Sequence, residues 1–96
     1  MILHLLRSSP FTALDIGQSL ALMDQDDGLL LMQDAVYAVQ GVGQPWFEQL
    51  QQRQGIYILK EDMQARGLSH CPSFIEQVDY SKFVTLTLTF DQVVTW

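Results

Sequence analysis

Ninety-six residues suffice for one domain with a modest core, and nearly half of them are hydrophobic while only 17% are charged. Eleven acids against five bases give a formal net charge of −6, and the bases Arg7, Arg53, Lys60, Arg66 and Lys82 are too scattered for the stripe that a nucleic-acid backbone requires. One cysteine, Cys71, excludes an internal disulfide and fits a reducing compartment. The opening Met-Ile-Leu-His-Leu-Leu-Arg lacks the charged start and long apolar core of a signal peptide, and no apolar run approaches the ~20 residues of a membrane span. The expectation is a single domain over residues 1–96, cytoplasmic and without a membrane anchor. Its apolar excess suits a subunit interface.

Ile2 to Leu6 reads as a first strand, apolar except for His4, and Ser8-Ser9-Pro10 ends it. Thr12 or Ser9 can cap a helix over Thr12–Met23, where Ala13, Leu14, Ile16, Leu20, Ala21 and Met23 approximate one face. Gly17 costs that helix ~1 kcal/mol relative to Ala, or else permits close packing on a sheet. Asp24, Asp26 and Asp27 then form a turn that reads as solvated. An EF-hand would need further oxygen ligands and a Glu at the loop end.

Leu29 to Met32 is an unbroken apolar run, too short for a helix, and suits a strand covered on both faces. Asp34 can cap a short helix over Ala35–Gln40, which Gly41 and Gly43 end. Pro45–Gln54 is a second short helix with proline in its first turn, stopped by Gly55. Ile56–Leu59 is a third strand, Glu61–Arg66 a helix with Gly67 at its C-cap, and Phe74–Val78 a fourth strand.

Residues 83–90 are ambiguous. Val84-Thr-Leu-Thr-Leu-Thr-Phe90 alternates as a strand does, yet Asp79 is a good N-cap and Tyr80, Phe83, Val84, Thr87 and Leu88 share a helical face. Periodicity alone leans to strand, with Asp91–Trp96 an edge strand or a tail. Short strands alternating with helices point to a three-layer α/β domain.

Few residues invite chemistry. Cys71 is the one sulfur nucleophile, and a neighbouring His70 could lower its pKa, although adjacent side chains tend to diverge. The plainer reading is an incidental loop thiol. His4 reads as a satisfied, buried or half-buried histidine rather than a base. Asp34 and Asp62 follow strands, where α/β ligands bind, but cap roles account for them. No zinc spacing, Gly-x-Gly-x-x-Gly or Walker pattern occurs, so neither a metal nor a cofactor is expected. The aromatic residues Tyr37, Trp46, Phe47, Tyr57, Tyr80, Phe83 and Trp96 are spread out and suit core or interface.

Several stretches in order resemble the TusB/DsrH family of small sulfur-relay subunits. They are Leu3-His4 through Arg7-Ser8-Ser9-Pro10, Leu29–Tyr37, and Tyr57–Leu68 with Glu61-Asp62 and Ala65-Arg66-Gly67. Asp79-Tyr80, Phe83-Val84 and Trp96 complete the set. The set spans nearly the whole chain and lies closer to the TusB branch. The resemblance implies a DsrE/F/H-like fold, an α/β sheet of about five mostly parallel strands with helices on both faces. It also implies a helix over Asp79–Phe90 followed by a short final strand, against the periodicity.

In function the resemblance implies a non-catalytic, structural or regulatory subunit of a TusBCD-type hetero-oligomer. TusC-like and TusD-like subunits would be its partners, and sulfur would pass as persulfide to a TusE-like carrier, for 2-thiolation of the tRNA wobble uridine. No direct tRNA binding is expected. DsrH-like members can carry a cysteine in the first helix where this chain has Ser19, and a hydroxyl cannot form a persulfide. The alternative is a persulfide carrier using Cys71, in sulfur transfer or sulfur oxidation. Candidate interface surfaces are the exposed part of Ala35–Phe47 and the last helix, with no pattern in the sequence that separates interface from core.

Overall fold

The computed structural model describes all residues from Met1 to Trp96. Strand β1 (Ile2–Leu6) leads to α1 (Asp15–Leu22) and then to β2 (Gly28–Leu31). A 3-10 helix (Gln33–Gln40) and α2 (Pro45–Gln51) connect β2 to β3 (Ile56–Leu59). Helix α3 (Lys60–Ala65), β4 (Glu76–Val78), α4 (Tyr80–Thr89) and β5 (Gln92–Thr95) complete the chain. The five strands form one parallel sheet in the order β4-β3-β2-β1-β5.

From β1 to β4 the chain steps across the sheet in one direction with its helices on one face. It then returns through α4 on the other face to lay β5 beside β1. Parallel crossovers are right-handed, so reversing direction requires changing face. On the first face Leu6, Leu29, Leu31, Ile56 and Ile58 pack against Ile16 and Leu20 of α1, Val36 and Val39, Leu50 of α2 and Met63 of α3. On the second face Leu3, Leu5, Leu30, Leu59 and Val78 meet Leu86 of α4, flanked by Phe83 and Phe90. Every residue of β2 is buried, as its unbroken apolar run requires.

The last helix settles the ambiguity of residues 83–90 in favour of the helix. The Asp79 side chain accepts the Lys82 amide N–H at 2.8 Å, and the Glu61 carboxylate accepts that of Tyr80 at 3.3 Å. Two carboxylates therefore serve orphan donors at the positive end of the helix. The hydroxyls of Thr85, Thr87 and Thr89 donate to carbonyls of their own helix, at Ser81, Val84 and Thr85. That local bonding lets β-branched residues sit in a helix although their alternation suits a strand.

Other expectations need correction. Helix α1 starts at Asp15, not Thr12, because Ser9 spends its carbonyl on a turn with Thr12 and Ala13 and neither Ser9 nor Thr12 caps the helix. Gly17 is exposed with nothing near its Cβ position, so it serves no close packing. Asp34 caps nothing; its segment is a 3-10 helix entered at Met32. In that helix residues three apart eclipse, which stacks Ala35 with Ala38 and Val36 with Val39 against the sheet. Gly41 is needed after it because a Cβ there would collide with the Trp46 ring. Helix α2 ends at Gln51 and β4 is confined to Glu76–Val78, three and two residues short of expectation.

Candidate functional site

Cys71 lies in the loop before β4, half-buried against the main core. Its Sγ faces the carbonyls of Ile75 at 3.6 Å and Pro72 at 3.7 Å. Burial pushes the thiol pKa up, so the nucleophilic thiolate is suppressed at neutral pH. His70 is exposed and makes no hydrogen bond to the sulfur. Ser19 is fully buried in α1, and its hydroxyl donates to the Ile16 carbonyl at 2.9 Å.

At the carboxyl ends of β2 and β3, where α/β folds place ligands, the polar side chains bond to the protein's own groups. Gln33 adopts φ 51°, a left-handed conformation, and its amide N–H donates to Asp62 at 2.6 Å. The Arg66 Nε donates to Asp34 at 3.0 Å, and its Nη1 donates to the Asp62 carbonyl at 3.2 Å. Asp34 and Asp62 therefore tie the 3-10 helix after β2 to α3. An open hollow of about 640 Å³ lies at the opposite, amino ends of β2 and β3. Four glutamines, Asp26 and Arg53 line it with Leu20 as its one apolar residue, a polar surface without the apolar walls of a ligand pocket.

The structure brings His4 and Trp96 together with an aspartate the sequence reading placed in solvent. His4 and Asp27 are each 5% exposed. The Asp27 carboxylate accepts the backbone N–H of Ile2 at 2.9 Å and of Asp24 at 3.1 Å. It lies 3.2 Å from His4 Nε2, while the Trp96 Nε1 sits 3.1 Å from His4 Nδ1. An indole N–H only donates, so Nδ1 is the acceptor and Nε2 carries the proton to Asp27. Burial pushes the Asp27 pKa up, but its amide donors and His4 outweigh burial and hold it below the usual carboxylate value. His4 is the satisfied, buried histidine that the sequence suggested, since a polar group in an apolar strand demands a buried partner; what the sequence did not show is that Asp27 is that partner.

The feature that faces outward is α4. Tyr80, Val84 and Leu88, four residues apart, are all exposed, Leu88 at 81%. They form one stripe, opposite the buried Leu86. In the Ala35–Phe47 region only Val42 is an exposed large apolar residue, since Ala35, Val36, Ala38, Val39 and Phe47 are spent on the core. Leu14 and Leu22 flank α1, but Gln18 separates them. No helix is long and apolar enough to cross a membrane, and no three His, Cys, Asp or Glu side chains cluster to hold a metal ion.

The family described as "DsrH like protein" matches residues 8–93. The "Protein TusB" of Pectobacterium parmentieri is 34% identical over 96 residues, covering 99% of this chain and all of that protein. The "Protein TusB" of Shigella sonnei is 37% identical over 97 residues, with the same coverage. In three dimensions the chain is similar to the crystal structure of the ychN protein from E. coli, with a TM-score of 0.78 over 99% of this chain and 97% of that one, at 23% identity. That likeness bears on fold alone, whereas the full-length sequence matches establish descent: the chain belongs to the TusB/DsrH family.

Proposed function

We propose that this chain is a non-catalytic subunit of a TusBCD-type sulfurtransferase complex. It acts in the cytoplasm beside TusC-like and TusD-like subunits. The complex passes persulfide sulfur to a TusE-like carrier for 2-thiolation of the tRNA wobble uridine. The observation that carries this reading is the exposed Tyr80–Val84–Leu88 stripe on a chain whose one thiol is half-buried and faces backbone carbonyls. An apolar stripe of this kind gains from burial against another subunit, at ~25 cal/mol per Å². The scattered bases agree with a role in which other proteins contact the tRNA.

A persulfide carrier needs an accessible thiolate, and Cys71 offers a protonated, half-buried thiol. The test is 2-thiouridine content of tRNA in cells whose own TusB protein has been deleted. The chain and its Cys71→Ser variant should restore it equally. Loss of thiolation with a Cys71→Ser chain that still folds and assembles would move the sulfur onto Cys71 and overturn the reading.

A further inference from the structure

Strand β5 lies at the sheet edge with all four of its residues exposed, so little of its own surface holds it there. Its ladder with β1 from Ile2 to Leu5 and the Met1–Asp91 pair hold its start, and Trp96 fastens its far end. The Trp96 backbone N–H donates to the Leu5 carbonyl at 2.9 Å, its carbonyl accepts two bonds from Arg7 at 3.3 Å, and its indole N–H reaches inward to His4. The indole bond works in one protonation state alone, because Nδ1 must offer a lone pair. Asp27, fixed by two amide donors, keeps the Nε2 proton where it is and so presents the Nδ1 lone pair to the indole.

We propose that Asp27, His4 and Trp96 form a proton-operated latch on the last strand: a solvent proton taken up at His4 Nδ1 turns the acceptor into a donor, expels the Trp96 indole and frees β5 from the edge of β1. Two N–H groups cannot share the 3.1 Å that separates them. The proton moves from water to Nδ1, and Nε2–H stays on Asp27, now as an imidazolium–carboxylate pair.

The charged surroundings of the ring are few. Asp27 touches Nε2. Asp24 and Asp26 are exposed in the same turn, and the Arg53 guanidinium donates to the Asp24 carbonyl there. Arg7 extends from the end of β1 onto the Trp96 carbonyl. At the start of β5, Asp91 is paired with the Met1 ammonium at 3.1 Å. Helix α1, packed over β1, contributes Asp15 as its one ionisable group, and the neighbouring β2 contributes none. The inference stands apart from the proposed assembly role, since it concerns bonds within one chain.

Nuclear magnetic resonance of the purified chain over the pH interval from about 8 to 5 tests it. As pH falls, the Trp96 indole resonance should move to its solvent-exposed position. Protection of the Val94 and Trp96 amides, which face β1, should fall about tenfold or more while β2 and β3 stay protected. His4→Gln supplies a donor to Asp27 and an acceptor to the indole without titrating, so its β5 protection should not change with pH. Trp96→Phe removes the indole donor, and its β5 should be loose at every pH. Wild-type β5 protection that stays constant over the interval overturns the latch, and so does an undiminished pH response in either variant.

Discussion

Leu86 and Leu88 lie two residues apart on α4 and should behave in opposite ways. Leu86 is 5% exposed and packs among Leu3, Leu5, Leu30, Leu59 and Val78. Truncation to alanine removes a buried side chain and leaves a partly collapsed cavity, at a cost of ~2–5 kcal/mol. For a domain near 100 residues each kcal/mol shifts Tm by roughly 4–8 °C, so Leu86→Ala should melt about 10 °C or more below the parent. Leu88 is 81% exposed and touches no core cluster. Leu88→Lys keeps helix propensity and puts a positive charge near the helix C-terminus, so its effect on stability should stay within about 0.5 kcal/mol. If the stripe is a docking surface, the same change should weaken association with TusC-like and TusD-like subunits by roughly 30-fold, the equivalent of about 2 kcal/mol. Thermal melts of the isolated chains, with titration of each variant against the partner subunits, read both quantities. A Leu88→Lys chain that melts as low as Leu86→Ala, or that binds partners as tightly as the parent, would refute the assignment of the two faces.

Asp79→Ala should cost about 1 kcal/mol in chemical denaturation, because the Lys82 amide loses its cap acceptor. Gly17→Ala should raise stability by up to ~1 kcal/mol, since the added methyl meets nothing and the helix gains propensity. Asp27 has a depressed pKa in the folded state, so its contribution is present above its unfolded value of about 4 and is lost as pH falls through the folded value. Stability measured from about pH 6 to pH 2 should therefore show a shallower acid limb for Asp27→Asn than for the parent, and equal slopes would contradict this.

Much of the sheet was legible because local pattern and tertiary role coincide. Ile2–Leu6 and Ile56–Leu59 emerge as strands with the bounds expected, and the apolar run ending the Asp24–Gly28 turn becomes the doubly covered β2. Residues 83–90 were not legible from periodicity, since Val84, Leu86, Leu88 and Phe90 alternate while Phe83, Leu86 and Phe90 also line one helical face. The Asp79 cap and the Glu61 carboxylate, nineteen residues upstream of the Tyr80 it serves, decide the matter, and the second is a tertiary contact no window can contain. Asp27 failed for the same reason. Its neighbours Asp24 and Asp26 are exposed, and what buries Asp27 is His4, twenty-three residues earlier and on the adjacent strand. Asp34 and Asp62 sit at the strand ends where expected, but their partners Arg66 and Gln33 give them bracing roles instead of caps. The exposed apolar stripe was anticipated only as part of the last helix. Which side of α4 faces out depends on which side the sheet claims, and that follows from the crossover.

The measurement that bears most directly on the central claim is native mass spectrometry of this chain co-expressed with TusC-like and TusD-like subunits. The account predicts a stable mixed oligomer containing this chain, dissolved by Leu88→Lys. A chain that stays alone or pairs only with itself while the other two subunits assemble without it would contradict the account.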